Sequence, residues 1–133
     1  MKPIYMLKNL KLEDVKTDSP LDKWFYEMIQ KDVEQLTVTD VSRMLRQEVY
    51  FDIAIPCAWK YVLENPICGE MYAGQMLELL RVGLIKNPNM KEIRLYDKFK
   101  VSERNIYDKY EWDNEFEKGE YIKILEEFQQ LFD

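Results

Sequence analysis

Residues Thr39 to Leu80 read TDVSRMLRQEVYFDIAIPCAWKYVLENPICGEMYAGQMLELL, and this stretch decides the fold. Thr39 offers a hydroxyl cap with Asp40 beside it, and Val41, Met44, Leu45 and Val49 then recur at three- and four-residue spacing, which predicts a helix with one buried stripe. From Tyr50 to Leu63 the chain is apolar nearly all round, and a helix apolar on every side belongs at the centre of a fold. Pro56 removes an amide donor inside that run. Because proline in a helix interior costs about 3 kcal/mol, the favoured reading is a new helix with Pro56 in its first turn. Asn65-Pro66 stops this helix, since the residue before proline is pushed out of the helical region. Tyr72-Ala73-Gly74 then opens a further stripe of Met76, Leu77, Leu79 and Leu80 that ends near Gly83.

Upstream, Ser19-Pro20-Leu21-Asp22 has the form of a helix start. Ser19 can accept from an orphan amide, Pro20 suits the first helical position and Asp22 complements the dipole. Trp24, Phe25, Met28, Ile29 and Val33 extend that helix to about Glu34. Downstream of Asn87-Pro88 two readings stay open. Ile93 and Leu95 alternate with charged neighbours, as do Tyr110, Trp112 and Phe116, and period two points to a small β-hairpin turning near Ser102 to Asn105. A helix from about Ser102 is the alternative. After Gly119, Tyr121, Ile122, Ile124, Leu125, Phe128, Leu131 and Phe132 predict an amphipathic terminal helix. The fold expected is mainly α, a compact domain of about five to six helices.

With 133 residues, 47% of them apolar, the chain is long enough to bury one core, and no repeat or low-complexity linker divides it, so residues 1–133 are expected to form a single domain. Two cysteines are too few for a disulfide framework. With no signal peptide and no long apolar run, a cytoplasmic protein is expected. The formal charge is −6, and residues 92–133 hold 12 acids against 7 bases, so most of the excess lies in the last third. Such a balance disfavours nucleic acid and anionic membrane as direct ligands and favours a basic protein partner.

Histidine is absent, which removes the commonest general base, the commonest metal ligand and every Ser-His or Cys-His pair. Cys57 and Cys68 stand alone without a second cysteine pair for zinc, and the four glycines form no phosphate cradle. Paired carboxylates such as Glu111 and Asp113 could do acid–base work, but six acids between Asp108 and Glu120 equally describe a solvated or partner-facing surface. No metal, no cofactor and no catalysis are therefore expected, and the chain reads as a binding module.

The elements Thr39-Asp40-Val41, Arg46-Gln47, Ile55-Pro56-x-Ala58, Leu63-Glu64-Asn65-Pro66 and Tyr72-x-Gly74 followed by Met76-Leu77 resemble the immunity proteins of bacterial contact-dependent growth inhibition systems. The resemblance covers 42 of the 133 residues. It implies a small, mostly helical cytoplasmic protein that binds and blocks a cognate toxin domain, often a nuclease in such systems. Within the signature, Arg46 suits a carboxylate or helix-end carbonyls, Gln47 can bond backbone, and both could equally be buried struts between helices. Pro56, Asn65 and Pro66 punctuate the helices. Gly74 permits close approach or an unusual backbone angle, and Tyr72 can be an ordinary core or rim aromatic.

The expected partner face is Tyr110, Glu111, Trp112, Asp113, Glu115 and Glu117, where aromatics of the kind enriched at binding hot spots sit among carboxylates. An acidic face of this kind could occupy a basic substrate groove and inhibit by occlusion. The competing reading has these aromatics in the core and the acids merely wet. A different class of function, a regulatory or scaffold module with an acidic protein-binding surface, also fits the composition.

Overall fold

The computed structural model describes residues 2–133 and is helical throughout its ordered elements. Among the described residues seven α-helices are formed: α1 (Ile4–Leu7), α2 (Pro20–Met28), α3 (Val38–Arg46), α4 (Phe51–Glu64), α5 (Gln75–Lys86), α6 (Ile93–Tyr107) and α7 (Glu115–Gln130). Short 3-10 turns occupy Leu12–Asp14, Val33–Gln35 and Pro88–Met90. The mainly α expectation holds, with more helices than the five to six expected.

No β-strand occurs among the described residues, so of the two open readings the hairpin is not formed; the segment is the helix α6, which starts at Ile93 and not near Ser102, followed by a loop. Alternation over Ile93 and Leu95 is too short to distinguish periods. The stripe that decides the matter is Tyr96 and Phe99, both buried, continued by partly buried Ile106 and Tyr107. Ile93 and Val101 face outward instead. Ser102 Oγ donates to the Leu63 carbonyl at 2.7 Å, so α6 satisfies an acceptor that the C-terminus of α4 leaves open.

α4 is central: it packs against α3, α5 and α6, while α5 also touches α3 and α7. Ala54, Ile55, Ala58, Trp59 and Val62 of α4 are buried. Gly83 lies within α5 and does not end it; a Cβ there would stand 3.4 Å from Ile55 Cγ1, so its bare backbone allows α5 to sit close to α4. Pro56 is interior to α4 and starts no new helix. Its missing donor would have served the Asp52 carbonyl one turn back, and both residues are exposed, so water can take that bond. Trp59, Tyr96, Phe99, Phe128 and Phe132 interlock across the seam of α4, α6 and α7, with Tyr96 and Phe132 stacked at 4.2 Å.

Helix starts follow local cap chemistry. Ser19 and Asp22 form a capping box around Pro20, as the upstream signature predicts. That helix ends at Met28, short of Glu34, because Asp32 and Gln35 form a second box that starts a 3-10 turn. The cap of α3 lies two residues before the expected Thr39: the Thr37 hydroxyl accepts from the Asp40 amide, and the Asp40 carboxylate accepts from the Thr37 amide. The Asp40 carboxylate also accepts from Trp24 Nε1 at 3.0 Å and Lys31 Nζ at 2.6 Å, tying α2 to α3. Asn114, not Gly119, marks the start of α7.

Candidate functional site

Residues 65–74 form a loop whose path is closed by its own hydrogen bonds. Asn65 ends α4 in extended backbone, the conformation a following proline imposes, and its Oδ1 accepts from the Ile67 amide at 3.0 Å. The Gly74 amide donates to the Ile67 carbonyl at 2.8 Å, and Gln75, almost fully buried, accepts the Met71 amide at 2.8 Å on its side chain. A Cβ on Gly69 would lie 2.2 Å from the Tyr72 carbonyl oxygen, so the turn closes only around glycine. Gly74 caps α5 at φ +83°, in left-handed space, with Tyr121 Cδ1 2.8 Å from where a Cβ would be. Thus fixed, the loop presents Met71, 73% exposed, and Tyr72, 47% exposed; the Tyr72 hydroxyl donates to Glu78 Oε1 at 2.9 Å.

The segment from Tyr110 to Glu117 is a loop followed by the first turn of α7. Trp112 turns inward and packs on Tyr107, Tyr110 and Tyr121 with ring centres 4.5–5.7 Å apart. Asn114 Oδ1 accepts the Glu117 amide at 2.8 Å, which begins the helix. Phe116, in that first turn, projects outward and is 76% exposed. Fully buried Tyr121 touches both loops, through Trp112 on one side and against Gly74 on the other.

Between these two loops run two adjoining clefts, of ≈ 620 Å³ and ≈ 350 Å³, which share Tyr72, Ala73 and Glu117 in their walls. The carboxylates Glu70, Glu78, Asp113, Glu117, Glu120 and Glu127 line them against the single amine of Lys123. Three of these acids have a cation already: Arg46 stands 3.7 Å from Glu70, Arg81 3.7 Å from Glu127 and Lys123 3.3 Å from Glu120. Glu117 Oε1 is shielded from solvent with no hydrogen-bond partner in the chain. Its carboxyl is pushed above the ordinary range, by burial first and then by the Asp113 carboxylate beside it.

The clefts thus bring together Tyr110, Asp113 and Glu117 from the acidic segment with Asn65 and Tyr72 from the signature. Glu111 and Glu115 are exposed beside the clefts and line neither. Trp112 is half-buried and anchors the loop on Tyr107 and Tyr121. Arg46 borders the site through Glu70, and Pro66 is buried under the loop. Gln47 lies apart, exposed at the C-cap of α3 beside a small third cleft, and Pro56 is on the open side of α4. Since Arg46 and Gln47 are exposed, neither is a buried strut between helices. Glu70, Met71 and Glu78 escaped the sequence reading. A loop bounded by Asn65-Pro66 and Gly74, with the charged Glu70 in it, was the signal for the first two.

Both thiols are free, and burial raises the pKa of both, that of Cys68 to about 11 with Glu64 adding to the effect. Protonated at neutral pH, they are poor nucleophiles. Among the described residues no cluster of three His, Cys, Asp or Glu side chains is placed to hold a metal ion, and no helix is long and apolar enough to cross a membrane. What the arrangement offers chemically is an acidic, partly aromatic recess on a rigid support.

No curated protein and no solved structure matches the chain. A family model described as CDI immunity proteins matches residues 6–92, which is 87 of the 133 residues and runs from α1 through the 3-10 turn after α5. One wall of the clefts, residues 65–78, falls inside that match, and the other, residues 110–127, falls outside it. The match also contains the whole Thr39 to Leu80 signature, and with it covering about two thirds of the sequence, the chain belongs to the contact-dependent growth inhibition immunity proteins.

Proposed function

We propose that this chain neutralises its cognate toxin domain by tight stoichiometric binding, with the twin acidic clefts and their rim as the contact face. Family membership implies a cognate toxin as partner. The observation that carries the finer reading is the lining itself: six carboxylates against one amine, beside the outward Phe116, Met71 and Tyr72. Apolar rings supply area for tight contact, while the negative field selects and steers a basic partner. If the toxin is a nuclease, its substrate groove must be basic to hold phosphates, and an acidic face complements that potential. Inhibition then needs no bond-making chemistry, only occlusion.

The division of the clefts between family-matched and unmatched sequence supports the same reading. A shared scaffold in α1–α5 can carry a variable wall in α7 that sets which toxin is accepted. Co-expression with the toxin domain encoded beside this chain is expected to restore growth. Reversing two exposed charges, Asp113→Lys with Glu115→Lys, is expected to slow association about tenfold at low salt and to flatten its salt dependence. Stopped-flow mixing checks this, and unchanged kinetics would move the contact face elsewhere.

A further inference from the structure

We infer that the larger cleft is a receptor for a cationic side chain of the partner, the guanidinium of an arginine fitting it best. This rests on the toxin-binding reading above and names what that binding recognises. The walls are two exposed rings, Tyr72 on the loop before α5 and Phe116 on the first turn of α7, with Ala73 and Ile124 supplying apolar surface between them. Of the four carboxylates in this cleft, Glu120 and Glu127 are already paired, with Lys123 and Arg81. Glu78 and Glu117 have no cation: Glu78 accepts the Tyr72 hydroxyl, and Glu117 has only the Tyr110 hydroxyl and the Asp113 carboxyl beside it, with its Oε1 accepting no hydrogen bond.

Those two uncompensated carboxylates belong to different helices, α5 and α7, and so face a shared volume without pairing with each other's neighbours. A planar cation with several donors can bond carboxylates on both sides while its faces cover aromatic rings. An ammonium can satisfy the charge but not the planar stacking. A neutral or acidic segment would leave Glu78 and Glu117 desolvated and unpaired, which selects against it. The volume of ≈ 620 Å³ lies in the range of built ligand sites.

The test compares, for affinity towards the toxin domain encoded beside this chain, two pairs of substitutions that change the net charge equally. Glu78→Gln with Glu117→Gln removes the two unpaired charges inside the cleft; Glu111→Gln with Glu115→Gln removes the same charge outside it. The first pair is expected to weaken binding at least tenfold, chiefly by faster dissociation, and the second by less than threefold. Phe116→Ala, at a ring 76% exposed, cannot unfold the core and is expected to weaken binding about fivefold. Equal losses from the two Gln pairs would mean a diffuse field without a receptor and would overturn the inference, as would full affinity in Phe116→Ala. If the unsubstituted protein itself fails to bind the toxin, it is the proposed function that falls.

Discussion

Replacing Asp40 with alanine is expected to lower the thermal unfolding midpoint by about 10 °C, equivalent to about 3 kcal/mol for a chain of this length. Asp40 is only 5% exposed and ties α2 and Lys31, in the segment after it, to α3. Its loss removes one half of the capping box with Thr37, typically worth about 1 kcal/mol, and two bonds from Trp24 Nε1 and Lys31 Nζ. It also leaves the Trp24 N–H buried without an acceptor. Lys31 is 35% exposed, so its part of the pair is screened and the total stays at the lower end of what breaking a buried pair costs.

The same residue gives stability a defined pH dependence. Burial works against ionisation of Asp40 most strongly, but the bonds from Lys31, the Thr37 amide and Trp24 outweigh it and hold the carboxyl below its ordinary value of 3.8. A depressed folded value means that the contribution is complete above the ordinary value and is lost as pH falls through the lower, folded one. The midpoint difference between the native protein and Asp40→Ala should therefore be full at pH 7 and shrink below about pH 4. A difference that persists undiminished at pH 2 would assign the stabilisation to packing and not to charge.

Gly74→Val is expected to cost about 3 kcal/mol as well, and to disturb the clefts in a way that Asp40→Ala does not. Two penalties combine. A β-branched side chain is strongly disfavoured at φ +83°, and its Cβ would stand 2.8 Å from the Tyr121 ring. That ring cannot swing aside, because it is fully buried and stacked against Tyr107 and Trp112. Displacing Tyr121 would shift the Tyr110 and Trp112 loop, so toxin affinity should fall together with stability. Calorimetry with a parallel binding measurement checks both; a loss of under about 1 kcal/mol would show that the contact relaxes freely.

Much of the fold was legible where the determinants are local. Ser19-Pro20-Leu21-Asp22 announces α2 because cap and proline chemistry act within one turn, and Asn65-Pro66 ends α4 for the same reason. The apolar run from Tyr50 to Leu63 identifies the central helix. Pro56 misleads because its cost depends on whether the orphaned carbonyl meets water or protein, a tertiary matter. Residues 93–107 mislead because two alternating apolar residues carry no period, and Tyr96 and Phe99 acquire their buried stripe only from tertiary contact with α4 and α7.

Of the candidate site, the acidic character around Asp113 and Glu117 was visible in composition. What composition could not express is that Trp112 points inward while Phe116 points outward, since that depends on where Asn114 starts a helix. Nor could it bring Tyr72 and Glu78 opposite residues some forty positions away; Tyr121 against Gly74 does that. The signature residues and the acidic segment were read as separate features. They are two walls of one recess.

Calorimetric titration of the neighbouring toxin domain with this protein tests the central claim most directly. The account predicts a one-to-one complex, tighter than about 1 μM and weakened by added salt, in which the toxin loses its activity. Absence of a complex at micromolar concentrations, or a complex that forms equally well at all salt concentrations, would contradict it.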